Sequence, residues 1–347
     1  MDLIRPPRLK PGDTVATVSL SDGLAAAVPH RYAAGKRQVE ETFGLRVVEA
    51  PNSQRDAEFL YRNPRARADD LHWALTDPGI AGIVSNVGGY ESVRLLPLID
   101  LELMRRNPKV FMGFSDTTIQ HVAFLNAGVV SFYGPGMLTD LAENGGIHPF
   151  TAEAVRRALF SAEPIGDLAP APEWSEHFLD WRVPGNQEIR RVFQPNPGWA
   201  WLQGLEHEPV EGRLIGGNVE VLEMLKGTRW WPPPRAWHGA VLYLELSEVA
   251  ALPWQAEEWL RNYASQGILE HVKGLLFARP HRYTMEKRLQ LFDSVRKVLA
   301  EAGRSDMPVV ADMDFGHTSP MCVLPNGCRL RIDPRTRRVA VLEAGVS

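Results

Sequence analysis

Lys109-Val110-Phe111-Met112-Gly113-Phe114-Ser115-Asp116-Thr117-Thr118 sets an apolar strand directly against the start of a helix. The strand runs into a glycine and then a serine. Ile119, Val122 and Ala123 follow on one side of an apolar helix. Ser115 therefore falls at a strand-to-helix turn, where unpaired backbone N–H groups and the helix dipole favour negative charge on or near its oxygen. A nucleophile elbow has this logic, although the G-x-S-x-G spelling is absent. A helix N-cap serine fits the same segment.

Outward from this unit, residues 14–18, 45–49, 82–85 and 129–133 are further short apolar runs. Amphipathic stretches near 30–43, 63–77, 91–97 and 116–127 separate the strands. Strand-helix alternation predicts a mainly parallel sheet flanked by helices, with ligands beyond the carboxyl ends of its strands. The texture changes at about 162–209, which is rich in proline, charge and tryptophan (Trp174, Trp181, Trp199, Trp201). Four tryptophans favour a folded loop covering a site over a linker. From 210 onward strands are expected at 241–244, 274–278 and 308–311. Met285, Leu289, Phe292, Val295 and Leu299 mark a helix ending at Gly303. The expected fold is α/β with two domains. Residues 1–161 form the first, 162–209 an interdomain loop, and 210–347 a smaller α/β domain with a mixed sheet.

The chain has 347 residues, 44% hydrophobic and 23% charged, with net charge -4. This balance is that of a soluble globular protein, and the charge argues against a nucleic-acid or anionic-membrane partner. Charges and prolines break up MDLIRPPRLKPGDTV before an apolar core can form, so no secretory signal is expected. No apolar run reaches the roughly 18 residues that span a bilayer. Two cysteines, Cys322 and Cys328, suit a reducing, cytoplasmic setting. They flank a Pro325-Asn326-Gly327 turn, where two free thiols are expected over a disulfide.

Four other segments bear on chemistry. Gly88-Gly89 follows a strand, and its backbone N–H groups would suit an oxyanion or simply a tight turn. His317 lies in a Gly-His-Thr loop after the strand at 308–311, placed to act as a general base. Asp312 and Asp314 with His317 form a competing metal-ligand set, but no second histidine completes it. Glu245 ends an apolar strand, where a carboxylate needs a partner, and orienting an imidazole is one such role. Glu248 is the alternative acid. Gly212 to Asn218 has the look of a nucleotide loop but lacks G-x-G-x-x-G order. Trp230, Trp231 and three prolines read as a rigid surface turn.

Taken in order, Pro11-Gly12-Asp13-Thr14-Val15, Gly88-Gly89-Tyr90, Gly113 to Thr118, Gly212 to Asn218, Leu244 to Glu248 and Phe315 to Pro320 resemble one family. It is the serine LD-carboxypeptidases with their relatives, the microcin C immunity peptidases. The resemblance implies Ser115 as nucleophile, His317 as base and Glu245 as the orienting acid. It places an oxyanion hole at the N–H groups of Gly89 and Asp116 and needs no metal or other cofactor. It further implies a homodimer acting on a small-molecule or short-peptide substrate, with Gly88, Tyr90 and Asn218 at the substrate. The long tryptophan-rich loop resembles the immunity branch, which hydrolyses aminoacyl-nucleotide amides and stacks a loop tryptophan on the base. Trp181 takes that place by position, with Trp174 next. The alternatives are release of terminal D-alanine from muropeptides and, from another class, a non-catalytic nucleotide- or peptide-binding protein.

Overall fold

The computed structural model describes residues 3–347. Strands β1 (Thr14–Val18), β2 (Arg46–Glu49), β3 (Gly82–Ser85), β4 (Val110–Gly113) and β5 (Ser131–Tyr133) pair in parallel, in the order β5-β4-β3-β1-β2. Helices Pro29–Phe43, Pro64–Thr76 and Thr118–Ala127 lie between them. The expected helix near 91–97 is a 3-10 helix, Ser92–Leu98, that contains Pro97. Two short helices, Ala57–Arg62 and Leu101–Arg106, were not expected. Each is started by an aspartate (Asp56, Asp100) whose carboxylate accepts from a backbone N–H of the first turn.

The tryptophan-rich segment contributes β6 (Gly166–Leu168), β7 (Glu173–Trp174), β8 (Gln194–Pro195) and β9 (Ala200–Gln203). Then come β10 (Val210–Asn218), β11 (Val241–Glu245), β12 (Gly274–Ala278) and β13 (Val309–Met313), followed by β14 (Leu324–Asn326), β15 (Arg329–Asp333) and β16 (Arg338–Val341). The second sheet has the order β6-β16-β15-β10-β11-β12-β13-β9 and is mixed. Its centre, β10 to β13, is parallel, and its flanks are antiparallel. Strand β14 leaves this region and pairs antiparallel with β5, completing the first sheet. Residues on both sides of position 210 therefore build that sheet.

Several sequence expectations are corrected. Gly212 to Asn218 is no nucleotide loop but most of β10, a nine-residue strand. Its glycines serve backbone packing. A Cβ at Gly216 would lie 1.7 Å from the Tyr243 carbonyl oxygen, and one at Gly212 would lie 2.2 Å from that of Gly239. Trp230 is buried, and the Trp231 ring packs tilted 5.2 Å from Trp237 and edge-on 5.7 Å from Tyr263, so this pair belongs to the core. In helix Met285–Glu301 the buried face runs through Leu291, Phe292, Val295, Val298 and Leu299, whereas Met285 and Leu289 are exposed. Asn326 of the expected turn is buried within β14. Cys322 and Cys328 are buried free thiols, as expected. Among the described residues no helix is long and apolar enough to cross a membrane.

Gly216→Ala should destabilise the protein by about 3 kcal/mol or more, because the new methyl meets backbone rather than a movable side chain. A urea unfolding midpoint equal to that of the wild type would contradict this.

Candidate active site

Ser115 begins a short 3-10 turn, Ser115–Thr117, between β4 and helix Thr118–Ala127. Its φ is +62°, a left-handed conformation that costs a non-glycine residue about 1–3 kcal/mol and that lifts the side chain off the end of the sheet. Glycines make room around it. A Cβ at Gly88 would lie 2.8 Å from the Ser115 Cβ, and one at Gly113 would lie 2.9 Å from that of Ser85.

Glu245 is the last residue of β11, and His317 follows β13, so both sit at strand carboxyl ends in the second sheet. They meet Ser115 across the seam between the sheets. His317 Nε2 is 3.1 Å from Ser115 Oγ, and Nδ1 is 2.6 Å from Glu245 Oε2. The geometry is that of a hydroxyl-imidazole-carboxylate relay. Gly316, with φ +86°, permits the approach, since a Cβ there would come within 2.8 Å of Glu245 Oε2.

Glu245 is fully buried, and its other oxygen, Oε1, accepts from the Tyr133 hydroxyl at 2.6 Å and from Asn218 Nδ2 at 3.0 Å. Tyr133 in turn accepts the Ser115 N–H at 3.1 Å, tying the nucleophile's backbone to the acid. The sequence reading missed Tyr133, which shows there only as an aromatic at a strand end. Asn218, expected at the substrate, is buried behind Glu245 and also caps helix Val219–Leu225. It orients the acid and does not face the cleft.

Glu248, the alternative acid, contacts the opposite ring nitrogen, with Oε2 3.0 Å from Nε2, and its side chain is half exposed. Burial opposes charge on His317, but Glu245 first and Glu248 second outweigh it and raise the imidazole to about 10. The hydrogen bond to His317 holds the Glu248 carboxyl at about 2. The Phe114 ring packs edge-on 5.1 Å from the imidazole.

The Gly89 and Asp116 N–H groups make no internal hydrogen bond among the described residues, so both are available to an oxyanion. Gly89 takes φ +145°. The Asp116 carboxylate is buried and holds the neighbouring loops, accepting from Ser21 Oγ at 2.5 Å and the Ser92 N–H at 2.8 Å. Ser115, Gly88, Gly89, Tyr90 and His317 line a cleft of about 490 Å3, a volume that suits a small organic ligand.

The loop tryptophans divide by role. Trp181 lines the cleft, with the Arg31 guanidinium 4.3 Å over its ring. Trp174 is buried against Arg279 and Arg288, and the Trp199 indole N–H donates to Asp314 at 2.8 Å. These two fasten the loop. The aspartates of the competing metal set also turn elsewhere, Asp314 to Arg279 at 2.8 Å and Asp312 to Arg288 at 3.4 Å. Among the described residues no three His, Cys, Asp or Glu side chains are grouped to hold a metal ion. Sequence reasoning did not anticipate Arg31, Asp140 or His281 in the cleft wall, since each comes from a segment without a local motif.

Known proteins resemble this chain in sequence and in fold. Residues 15–134 match the LD-carboxypeptidase N-terminal domain and residues 211–332 the LD-carboxypeptidase C-terminal domain. The chain is 30% identical to Bacillus subtilis YocD, provisionally named a carboxypeptidase, over 96% of this chain and 97% of that one. A B. subtilis protein assigned as a murein peptide carboxypeptidase is 26% identical, over 99% and 95%. The Escherichia coli microcin C7 self-immunity protein MccF is 24% identical, over 97% and 95%. Among solved structures, an MccF-like protein from Streptococcus pneumoniae in complex with AMP superposes with a TM-score of 0.84. It is 27% identical, and the match covers 95% of this chain and 98% of that one.

Because the His317 pKa is raised from 6.5 to about 10 by folding, its charge stabilises the native state fully below pH 6.5 and progressively less as pH rises to 10. The melting temperature of the wild type should therefore exceed that of His317→Gln most at pH 6 and converge on it toward pH 10. A gap that widens with pH would contradict the assignment.

Proposed function

This chain belongs to the LD-carboxypeptidase family of serine peptidases, and on that footing we propose that it hydrolyses an amide bond of an aminoacyl-nucleotide in the interdomain cleft. Ser115 is the nucleophile, His317 the base and Glu245 the acid that fixes the imidazole. The observation that carries this reading is the unbroken run from Ser115 Oγ through His317 to a fully buried Glu245, at 3.1 and 2.6 Å.

In the proposed reaction His317 Nε2 accepts the Ser115 proton as Oγ attacks the scissile carbonyl. The N–H groups of Gly89 and Asp116 hold the oxyanion, each worth about 2.7–4 kcal/mol by analogy with single-donor deletions. His317 then protonates the leaving amine, and water, activated in the same way, releases the acyl group from Ser115. The proton thus passes from Ser115 through His317 to the leaving amine, while Glu245 serves to orient and stabilise the imidazolium.

A nucleotide leaving group is supported by Trp181 on the cleft wall and by the AMP-bound structural neighbour. The second reading, release of terminal D-alanine from a muropeptide, is supported by the murein-assigned relative. Both readings share the relay and differ in what fills the cleft. The family's homodimeric state and a cytoplasmic location belong to the same proposal, and light scattering at twice the chain mass would bear on the first.

The test is turnover of an aminoacyl-sulfamoyl adenosine against a muropeptide tetrapeptide, each with and without EDTA. Ser115→Ala should lower kcat by about a thousandfold or more. Wild-type-like turnover in that variant would remove Ser115 from its role, and loss of activity in EDTA would reopen the metal reading. For the nucleotide substrate Trp181→Ala should raise KM by about 5- to 150-fold, the equivalent of losing one stacked base. An unchanged KM would favour the muropeptide.

A further inference from the structure

Glu248 occupies the atom that the relay needs free. His317 Nε2 is 3.1 Å from Ser115 Oγ and 3.0 Å from Glu248 Oε2. An ionised carboxylate only accepts hydrogen bonds, so Glu248 at this distance favours a hydrogen on Nε2. Nδ1 carries another, donated to Glu245 at 2.6 Å. Two carboxylates at these distances favour the imidazolium, which has no lone pair for the Ser115 proton. The relay is assembled but latched.

The two carboxylates differ in what can reach them. Glu245 is fully buried with three fixed donors. Glu248 stands in the turn after β11 on the cleft wall, with a half-exposed side chain. Apart from His317, the titratable groups whose charge interacts with it are His281, which burial holds neutral with a pKa of about 4, and the exposed Tyr90. Among the described residues no lysine or arginine pairs with Glu248. Among the described residues the cation paired with it is the imidazolium; Arg282 lines the same cleft without pairing, and a ligand there can bring another.

The place where that cation would stand follows from the chemistry of acyl transfer. When a carbonyl carbon sits in front of Ser115 Oγ, a nitrogen on the acyl α-carbon is two bonds from it. A carboxylate touching the base that serves Oγ is within reach of that nitrogen. We propose that Glu248 determines specificity by recognising a free α-ammonium on the acyl side of the scissile bond. The ammonium takes over the carboxylate, Nε2 releases its proton to water, and His317 becomes a base. An acyl α-nitrogen already in an amide, as inside a peptide chain, carries no charge and leaves the latch closed. This rests on the Ser115–His317–Glu245 reading and narrows its substrate class to acyl groups with an unblocked amine.

The experiment compares an aminoacyl-sulfamoyl adenosine with its Nα-acetyl counterpart, on wild type and Glu248→Gln, across pH 5.5–9. Wild type should favour the free amine by about 10- to 100-fold in kcat/KM, the range of a charge-assisted hydrogen bond. In Glu248→Gln the preference should shrink to about threefold or less. The acidic limb for the acetylated substrate should move to lower pH, because the imidazolium has lost one of its two carboxylates. A preference or limb unmoved by the substitution overturns the latch and leaves the hydrolase reading standing. Wild type turning over neither substrate overturns the aminoacyl-nucleotide reading, and the latch with it. Independently of Glu248 variants, His317 in Ser115→Ala should titrate at lower pH with the free-amine ligand bound than with the acetylated one. Equal titration in the two complexes also overturns the latch.

Discussion

Glu245 is an ionisable side chain with no exposure to water, and the meeting of the two sheets is organised around satisfying it. A lone buried carboxylate costs several kcal/mol, so it persists only where donors converge on it. Here they come from three distant segments. Tyr133 ends β5, Asn218 ends β10, and His317 follows β13. One donor belongs to the first sheet and two to the second, so the acid is satisfied only when the sheets are docked. Tyr133 carries the constraint further by accepting the Ser115 N–H, which makes the backbone of the strained turn part of the same network. Docking, burial of the acid and presentation of the serine are one structural event.

Much of this was legible in the sequence because the relevant signals are local. A buried parallel strand is a short apolar run, so β1, β3, β4, β11 and β12 were found within a residue or two. Ser115, Glu245 and His317 were nominated by position at strand ends, and the fold brings all three together. What escaped was set by tertiary packing. Strand β10 was obscured by Gly212, Gly216 and Gly217, residues that look like a flexible loop until the carbonyls of Gly239 and Tyr243 are seen pressed against them. Trp230 and Trp231 beside three prolines carry the composition of a surface turn, and only the aromatic cluster with Trp237 and Tyr263 shows where they belong. Tyr133 was invisible as a site residue because its partners lie 18 and 112 positions away. Asn218 was nominated for the right place and the wrong partner, since a strand-end asparagine is equally able to face substrate or acid.

The tryptophan-rich segment illustrates how composition can point to function while misplacing its cause. Its aromatic content suggested a lid. Two of the tryptophans instead pin the segment, Trp174 between Arg279 and Arg288 and Trp199 on Asp314. Asp314 is fully buried, and with Arg279 it forms an ion pair in the second sheet, two residues beyond which the His317 turn begins. The segment is thus tied to the platform that carries the base. Trp181, which does line the cleft, is held through its carbonyl by His30 and through its ring by Arg31, both from helix Pro29–Phe43 of the first sheet. A single loop spans the seam, anchored to the second sheet at both ends and to the first sheet at its middle.

Burial also explains why two glutamates three residues apart have unlike roles. Both touch His317, and both would stabilise its charge. Glu245 has no access to solvent and no freedom to leave, so it fixes the imidazole's tautomer whatever the cleft contains. Glu248, half exposed, gains little from any one partner because water competes for it, and its bond to Nε2 lasts only while no better cation is at hand. With one acid alone the imidazole would give up its proton more readily, whatever the cleft contained. With the second acid present, the charge of the imidazole depends on what occupies the cleft, and the fold has set that dependence at the nitrogen facing Ser115.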